Sequence, residues 1–416
     1  MAEVKTNTKR FLPTALALYF AYFMLGIASS ILSQYKEQFA NAWGASNLPS
    51  GLVDVSMVVS VVAAFGLGRL IAYPFAGPVS DKLGRRVSGL IGTLLYSCYF
   101  FGIAFSPSFW FAYAIGVLNG IANSFLDTCV SPSLMEMFPK SASIANIFTK
   151  FSVVVAQFLL PFFIGWVAMA NMSYKTIFII CGFLMLVDAF LVLVLPLPVA
   201  NAVAGEDKNE VKKEKHKIHF TPAAIAAILI GFTSSTTFML WLNCNQELGK
   251  SYGLKNPSSL QSFYAAGAAI AVLLTAQLIR LGLKESTVLV LYPTISIITL
   301  LLSYFIQTPT MLYIASFLIG YAAAGGVLQL ATSTTIEFFP RDKGLATSLC
   351  MISSSVANYA MLSLAAFITK STGGSAPRMI ILLNVIITIV GVCLALIVKS
   401  GQKKTVKEDE SETVVE

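Results

Sequence analysis

The chain has 416 residues, 56% hydrophobic and 12% charged, where a soluble domain carries about 25% charged residues. With a mean hydropathy of +0.76, this composition excludes a soluble globular enzyme and points to a polytopic membrane protein. The net charge of +8 is an orientation signal rather than a nucleic-acid footprint, because of where the cations fall along the chain.

Apolar runs of about 18–28 residues recur, each long enough to cross a bilayer as a helix. They do not alternate, so they read as helices rather than barrel strands. Twelve spans are predicted at residues 11–34, 51–76, 87–106, 108–135, 142–171, 174–196, 222–246, 259–280, 286–306, 309–336, 344–369 and 376–399. The first follows Lys5, Lys9 and Arg10 and is too long for a signal-peptide core, so no cleavable signal is expected. The polar, Lys- and Glu-rich stretch 200–220 reads as a linker. It divides an N-terminal six-helix bundle (1–199) from a C-terminal one (221–402), and a charged tail expected to be disordered (403–416) ends the chain. With these spans, about 20 of the 28 Lys and Arg fall on the side of the N-terminus. That bias places both termini in the cytoplasm and the protein in the cell membrane.

Between spans two and three lies Gly77-Pro78-Val79-Ser80-Asp81-Lys82-Leu83-Gly84-Arg85-Arg86, read as a short basic loop of an antiparallel hairpin. This G-x-x-x-D-(K/R)-x-G-R-R pattern resembles the signature loop of the major facilitator superfamily. The resemblance implies an all-α membrane fold of 12 transmembrane helices, arranged as two six-helix bundles that move by alternating access. It also implies a cytoplasmic gate formed by Gly77, Asp81, Gly84, Arg85 and Arg86; a plain basic anchor is the other reading of the loop. Glu136-Met137-Phe138-Pro139-Lys140 and Glu337-Phe338-Phe339-Pro340-Arg341 repeat at an offset of 201 residues, as expected of duplicated halves. They resemble the family's helix-end motif and add Glu136, Glu337 and Arg341 to the gate. The corresponding second loop, Arg280-Leu281-Gly282-Leu283-Lys284-Glu285, lacks the Asp and the Arg pair.

Span two has small residues every fourth position, Ser60, Ala64, Gly68, Ala72 and Ala76. They suit close helix approach, either as a moving seam or as static packing. In span ten, adjacent Gly325 and Gly326 suggest a bendable helix or tight packing.

Ionisable groups deep in a span default to function. In span four, Asn119, Asn123, Asp127 and Ser131 share one face, with Asp127 near mid-membrane. In span five, Asn146, Lys150 and Gln157 form a second polar stripe. Asp127 and Lys150 at these positions resemble an acid–base pair of lactose permease; a structural ion pair is the alternative. Arg69 and Asp188 lie at similar depth, so Arg69 has two candidate partners, Asp188 and Asp127. In the second half, Trp241 and Asn245 (with Thr233 and Thr237), Gln329, and Asn358 with Tyr359 offer a stacking surface, donors and acceptors.

The expected function is secondary active transport of a small polar solute, a sugar or related metabolite or organic acid, by proton symport. Asp127 is the first candidate for carrying the proton and Asp188 the second. The alternative is a proton-driven drug or metabolite efflux antiporter. Against it, span five has Pro161 but not the G-P-x-x-G-G pattern of such antiporters. A non-transporting sensor is a third reading. The chain is expected to act as a monomer in a lipid bilayer, with no nucleic-acid partner. There is no phosphate loop, no metal-ligand spacing and no nucleophile–base set, so no enzyme activity, cofactor or metal is expected. The six cysteines form no C-x-x-C pair, and the two histidines, His216 and His219, sit in the linker.

Overall fold

The computed structural model describes residues 8–47, 53–138, 142–197, 220–339, 343–372 and 377–413. Among them no strand occurs, and twelve helices are long and apolar enough to cross a membrane. They fall on the twelve predicted runs. Two compact units are present, Met1–Ala45 with Ser60–Ile218, and Ser46–Val59 with His219–Glu416. The linker stretch lies outside the described residues except for Phe220.

The helices of the first unit are α1 (Leu12–Gln34), the short α2 (Lys36–Ala42), α3 (Ser56–Leu83, from Ser60 on), α4 (Arg85–Ala104), α5 (Phe109–Met137), α6 (Ala142–Met169) and α7 (Lys175–Val194). Small residues set how closely they pack. Gly68 of α3 and Gly120 of α5 each lie so near the other helix's backbone that an added methyl would overlap it. The span-two stripe therefore includes a tight contact between α3 and α5. Gly26 of α1 meets the Val153 backbone of α6 in the same way.

The signature segment is not an extended loop. α3 continues through Pro74 and Pro78 to Leu83, and α4 begins at Arg85. One residue makes the turn, Gly84, at φ 95° and ψ 154°. Only glycine enters this region at low cost. α2 was not anticipated; its short amphipathic run falls below the length of a span.

The second unit contains α8 (Pro222–Ser251), α9 (Leu260–Arg280), α10 (Glu285–Phe305), α11 (Pro309–Ile319), α12 (Val327–Phe338), α13 (Lys343–Ser371) and α14 (Arg378–Thr413). Its core joins Ile230 of α8, Tyr292 of α10, Val327 of α12 and Ala395 of α14. The tenth span is broken in the middle. A π-helical turn, Gly320–Ala324, precedes Gly325, and Gly326 takes φ 119° before α12 restarts. A side chain at Gly326 would be strained, which is why the break falls on the glycine pair. α14 runs to Thr413, into the segment expected to be a disordered tail. Its run of Lys and Glu favours helix.

Candidate functional site

The polar cluster of the first unit is built on Asp127 of α5. Its Oδ1 accepts a 2.6 Å hydrogen bond from the Tyr22 hydroxyl of α1, and its Oδ2 one of 2.8 Å from the Tyr73 hydroxyl of α3. Arg69 lies 3.9 Å from the same Oδ2 and donates to the Tyr73 hydroxyl at 2.5 Å. The guanidinium also lies over the rings of Phe65, at 5.5 Å, and Tyr73, at 5.2 Å. Helical spacing explains half of this arrangement, since Arg69 and Tyr73 are one turn apart and share a face. Hydrogen bonds to a charged acceptor contribute about 1.5–3 kcal/mol each, so the carboxylate is held on both oxygens.

Of the two partners open to Arg69, the structure places it with Asp127. Asp188 of α7 is completely buried, and neither of its oxygens has a hydrogen-bond partner. The pairing of Asp127 with Lys150 is not formed. Lys150 is exposed and within electrostatic range of both Asp127 and Arg69, without an ion-pair contact to either. The two hydroxyls and the guanidinium occupy the positions a lysine would need.

The other predicted residues of this unit separate into groups. Asn119 and Asn123 are buried on α5, and the Asn119 Oδ1 has no partner. Gln157 donates to Ser29 at 3.3 Å and to Ser30 at 3.2 Å, tying α6 to α1. The side chain of Asn146 lies outside the described residues.

Tyr22 and Tyr73 were missed by the sequence reading. The i,i+4 spacing of Tyr73 from Arg69 was a usable signal. Tyr22 carries none, as a lone hydroxyl in an apolar run.

At the end of this unit where α3 turns into α4, Arg85 lies 3.7 Å from Glu136 of α5, both largely shielded from solvent. Arg85 also donates to Ser80 Oγ at 2.9 Å. Ser80 in turn donates to the Thr128 carbonyl at 2.8 Å. That carbonyl is available because Pro132, four residues on in α5, has no N–H to bond it. Arg86 is exposed and donates to the Leu195 carbonyl at 2.8 Å. Gly77 is half-buried within α3. The side chains of Asp81 and Arg341 lie outside the described residues. Glu337 is exposed in the second unit, within electrostatic range of Glu285, where the first unit has Arg85.

In the second unit, Trp241 is buried and donates to Ser316 of α11 at 3.1 Å. Trp241 and Asn245 line a small cavity with Leu300, Ile381 and Asn384, and the Asn245 Nδ2 has no partner. Thr237 is engaged with Thr388 of α14 at 2.9 Å, so it serves packing. Asn358 is buried with its Oδ1 unpartnered, Tyr359 is half-buried and Gln329 is exposed. None of these three joins Trp241 and Asn245 at that cavity. No group of three or more metal-ligating side chains occurs among the described residues.

The sequence model described as Major Facilitator Superfamily matches residues 14–292 and 253–415. The chain is 34% identical over 366 residues to the inner membrane transport protein YdiM of Escherichia coli (strain K12), covering 86% of this chain and 88% of that protein. It is 28% identical over 191 residues to the quinolone resistance protein NorA of Staphylococcus aureus (strain MRSA252), covering 44% of this chain and 49% of NorA. The crystal structure of a D-xylose-proton symporter superposes with a TM-score of 0.73 at 15% identity, covering 94% of this chain and 97% of that one. This last likeness is one of fold.

Proposed function

Since the chain belongs to the major facilitator superfamily, we propose that it is a secondary active transporter that carries a small polar organic solute by proton symport. Membership makes it a multi-pass membrane transporter with a small-molecule substrate, not an enzyme. The observation that carries the finer reading is the Asp127 cluster. A carboxylate held by two tyrosine hydroxyls and an arginine near mid-span is too costly to serve as packing alone.

Asp127 is the proton carrier in this reading. It binds a proton when its tyrosine and arginine partners shift, and releases it when they return. Asp188 is the second carboxylate of the pathway. Solute contacts come from Asn119, Asn123, Asn146, Lys150 and Gln157 in the first unit, and from Trp241, Asn245, Gln329, Asn358 and Tyr359 in the second. Asp81, Arg85, Arg86, Glu136, Glu337 and Arg341, with Gly77 and Gly84 as backbone elements, form a cytoplasmic gate, with both termini in the cytoplasm. Alternating access by a monomer completes the scheme.

The similarity to NorA over 44% of the chain favours a second reading, proton-driven efflux. Proteoliposomes with an imposed inward proton gradient separate the two. Uphill uptake of a sugar or organic acid supports symport. Extrusion of lipophilic dyes with no polar uptake supports efflux.

A further inference from the structure

We infer that the transported solute carries a single negative charge, a carboxylate or its equivalent, and that Lys150 is the side chain that receives it. This rests on the polar-solute reading above and narrows it, since a neutral sugar is then excluded.

The charges immediately around Asp127 do not balance. Two cations, Arg69 and Lys150, share the neighbourhood of one carboxylate, Asp127. Asp127 is committed on both oxygens, to Tyr22 and to Tyr73. Arg69 is committed to Tyr73 and Asp127. Lys150 remains over, with neither a hydrogen bond nor an ion pair among the described residues.

Its position on α6 is turned away from the exposed aromatic side of that helix. On α6 the exposed rings of Phe148, Phe151, Phe158 and Phe162 mark one side. At about 100° per residue, Lys150 stands about 160° from Phe148 and about 80–120° from the other three. It shares its face with Gln157, seven residues on, which is buried against α1. Yet Lys150 itself is exposed. It is therefore reachable by a ligand from that side of the helix.

An ammonium without a partner at this depth is expensive. A ligand that brings one negative charge removes the imbalance. A neutral polyol leaves it in place, and a dianion reverses it. The long flexible lysine stem with a point charge also tolerates some variation in where the anionic group sits.

The test is counterflow exchange by the purified full-length protein in proteoliposomes at equal pH on both sides, so that proton coupling plays no part. The probes are radiolabelled acid and neutral pairs: gluconate with glucose, galacturonate with galactose, xylonate with xylose. At least one acid is expected to exchange about tenfold or more faster than its neutral partner. Lys150→Ala should remove most of that exchange, and Lys150→Arg should retain it to within about threefold, with thermal unfolding as a check on folding. If the alanine variant does not fold, Lys150→Gln takes its place, and the acid-to-neutral ratio of the unmodified protein stands on its own. A neutral member exchanging faster than its acid, or acid exchange indifferent to loss of the lysine charge, overturns the inference and leaves polar-solute transport intact. Extrusion of dyes with no exchange in any pair overturns the inference together with the reading beneath it.

Discussion

Tyr22 and Asp127 are 105 residues apart in sequence and 2.6 Å apart in the structure, hydroxyl to carboxylate. The contact ties α1 to α5. Tyr22→Phe removes the hydrogen bond and keeps the ring. At about 1.5–3 kcal/mol for a bond to a charged acceptor, uptake by the variant is expected to fall roughly tenfold or more. Initial rates in proteoliposomes check this, with unchanged thermal unfolding showing that the fold is retained. A rate equal to that of the unmodified protein would remove Tyr22 from the mechanism.

Arg85 and Glu136 form a largely shielded pair. A double-mutant cycle with Arg85→Ala and Glu136→Ala is expected to show coupling of about 0.5–3 kcal/mol in thermal or denaturant unfolding. Additive single effects would mean that the pair contributes no interaction of its own.

Pro132 leaves the Thr128 carbonyl without its helical donor, and Ser80 supplies one at 2.8 Å. Pro132→Ala returns an N–H to that carbonyl, so Ser80 is no longer its only donor, although Ser80 still accepts from Arg85. Ser80→Ala should therefore cost less in the Pro132→Ala background than alone, by about 0.5–1.5 kcal/mol, the net value of one hydrogen bond. Equal costs in the two backgrounds would contradict the link.

Glycines differ sharply in what they tolerate. Gly84 takes a backbone conformation close to glycine-only, so Gly84→Ala is expected to cost about 1–3 kcal/mol. Gly120→Ala drives a methyl into the backbone of α3, and overpacking of that kind costs about 1–3 kcal/mol. A methyl at Gly77 or Gly165 meets nothing within 4 Å, and there alanine should leave stability within about 0.5 kcal/mol of the original. Thermal unfolding of the four variants in detergent ranks them.

Twelve spans were legible because length and hydropathy alone decide them: Leu12–Gln34 and Lys175–Val194 need no tertiary information. The polar face of α5 was legible from its period of four. Partner choice was not. Asp127 is exchanged between Lys150 and Arg69 by side-chain reach and helix rotation, which a single sequence does not encode locally. The extension of α3 to Leu83 was hidden by two prolines that ordinarily end helices. The break in the tenth span was half visible, since Gly325 and Gly326 marked its place but the π-helical turn before them left no composition signal.

The proton role of Asp127 is tested most directly by accumulation of a transported acid in proteoliposomes under an inward proton gradient, comparing the unmodified protein with Asp127→Asn. The asparagine variant is expected to lose uphill accumulation while keeping downhill exchange. Accumulation against the gradient by Asp127→Asn, at the level of the unmodified protein, would contradict the account.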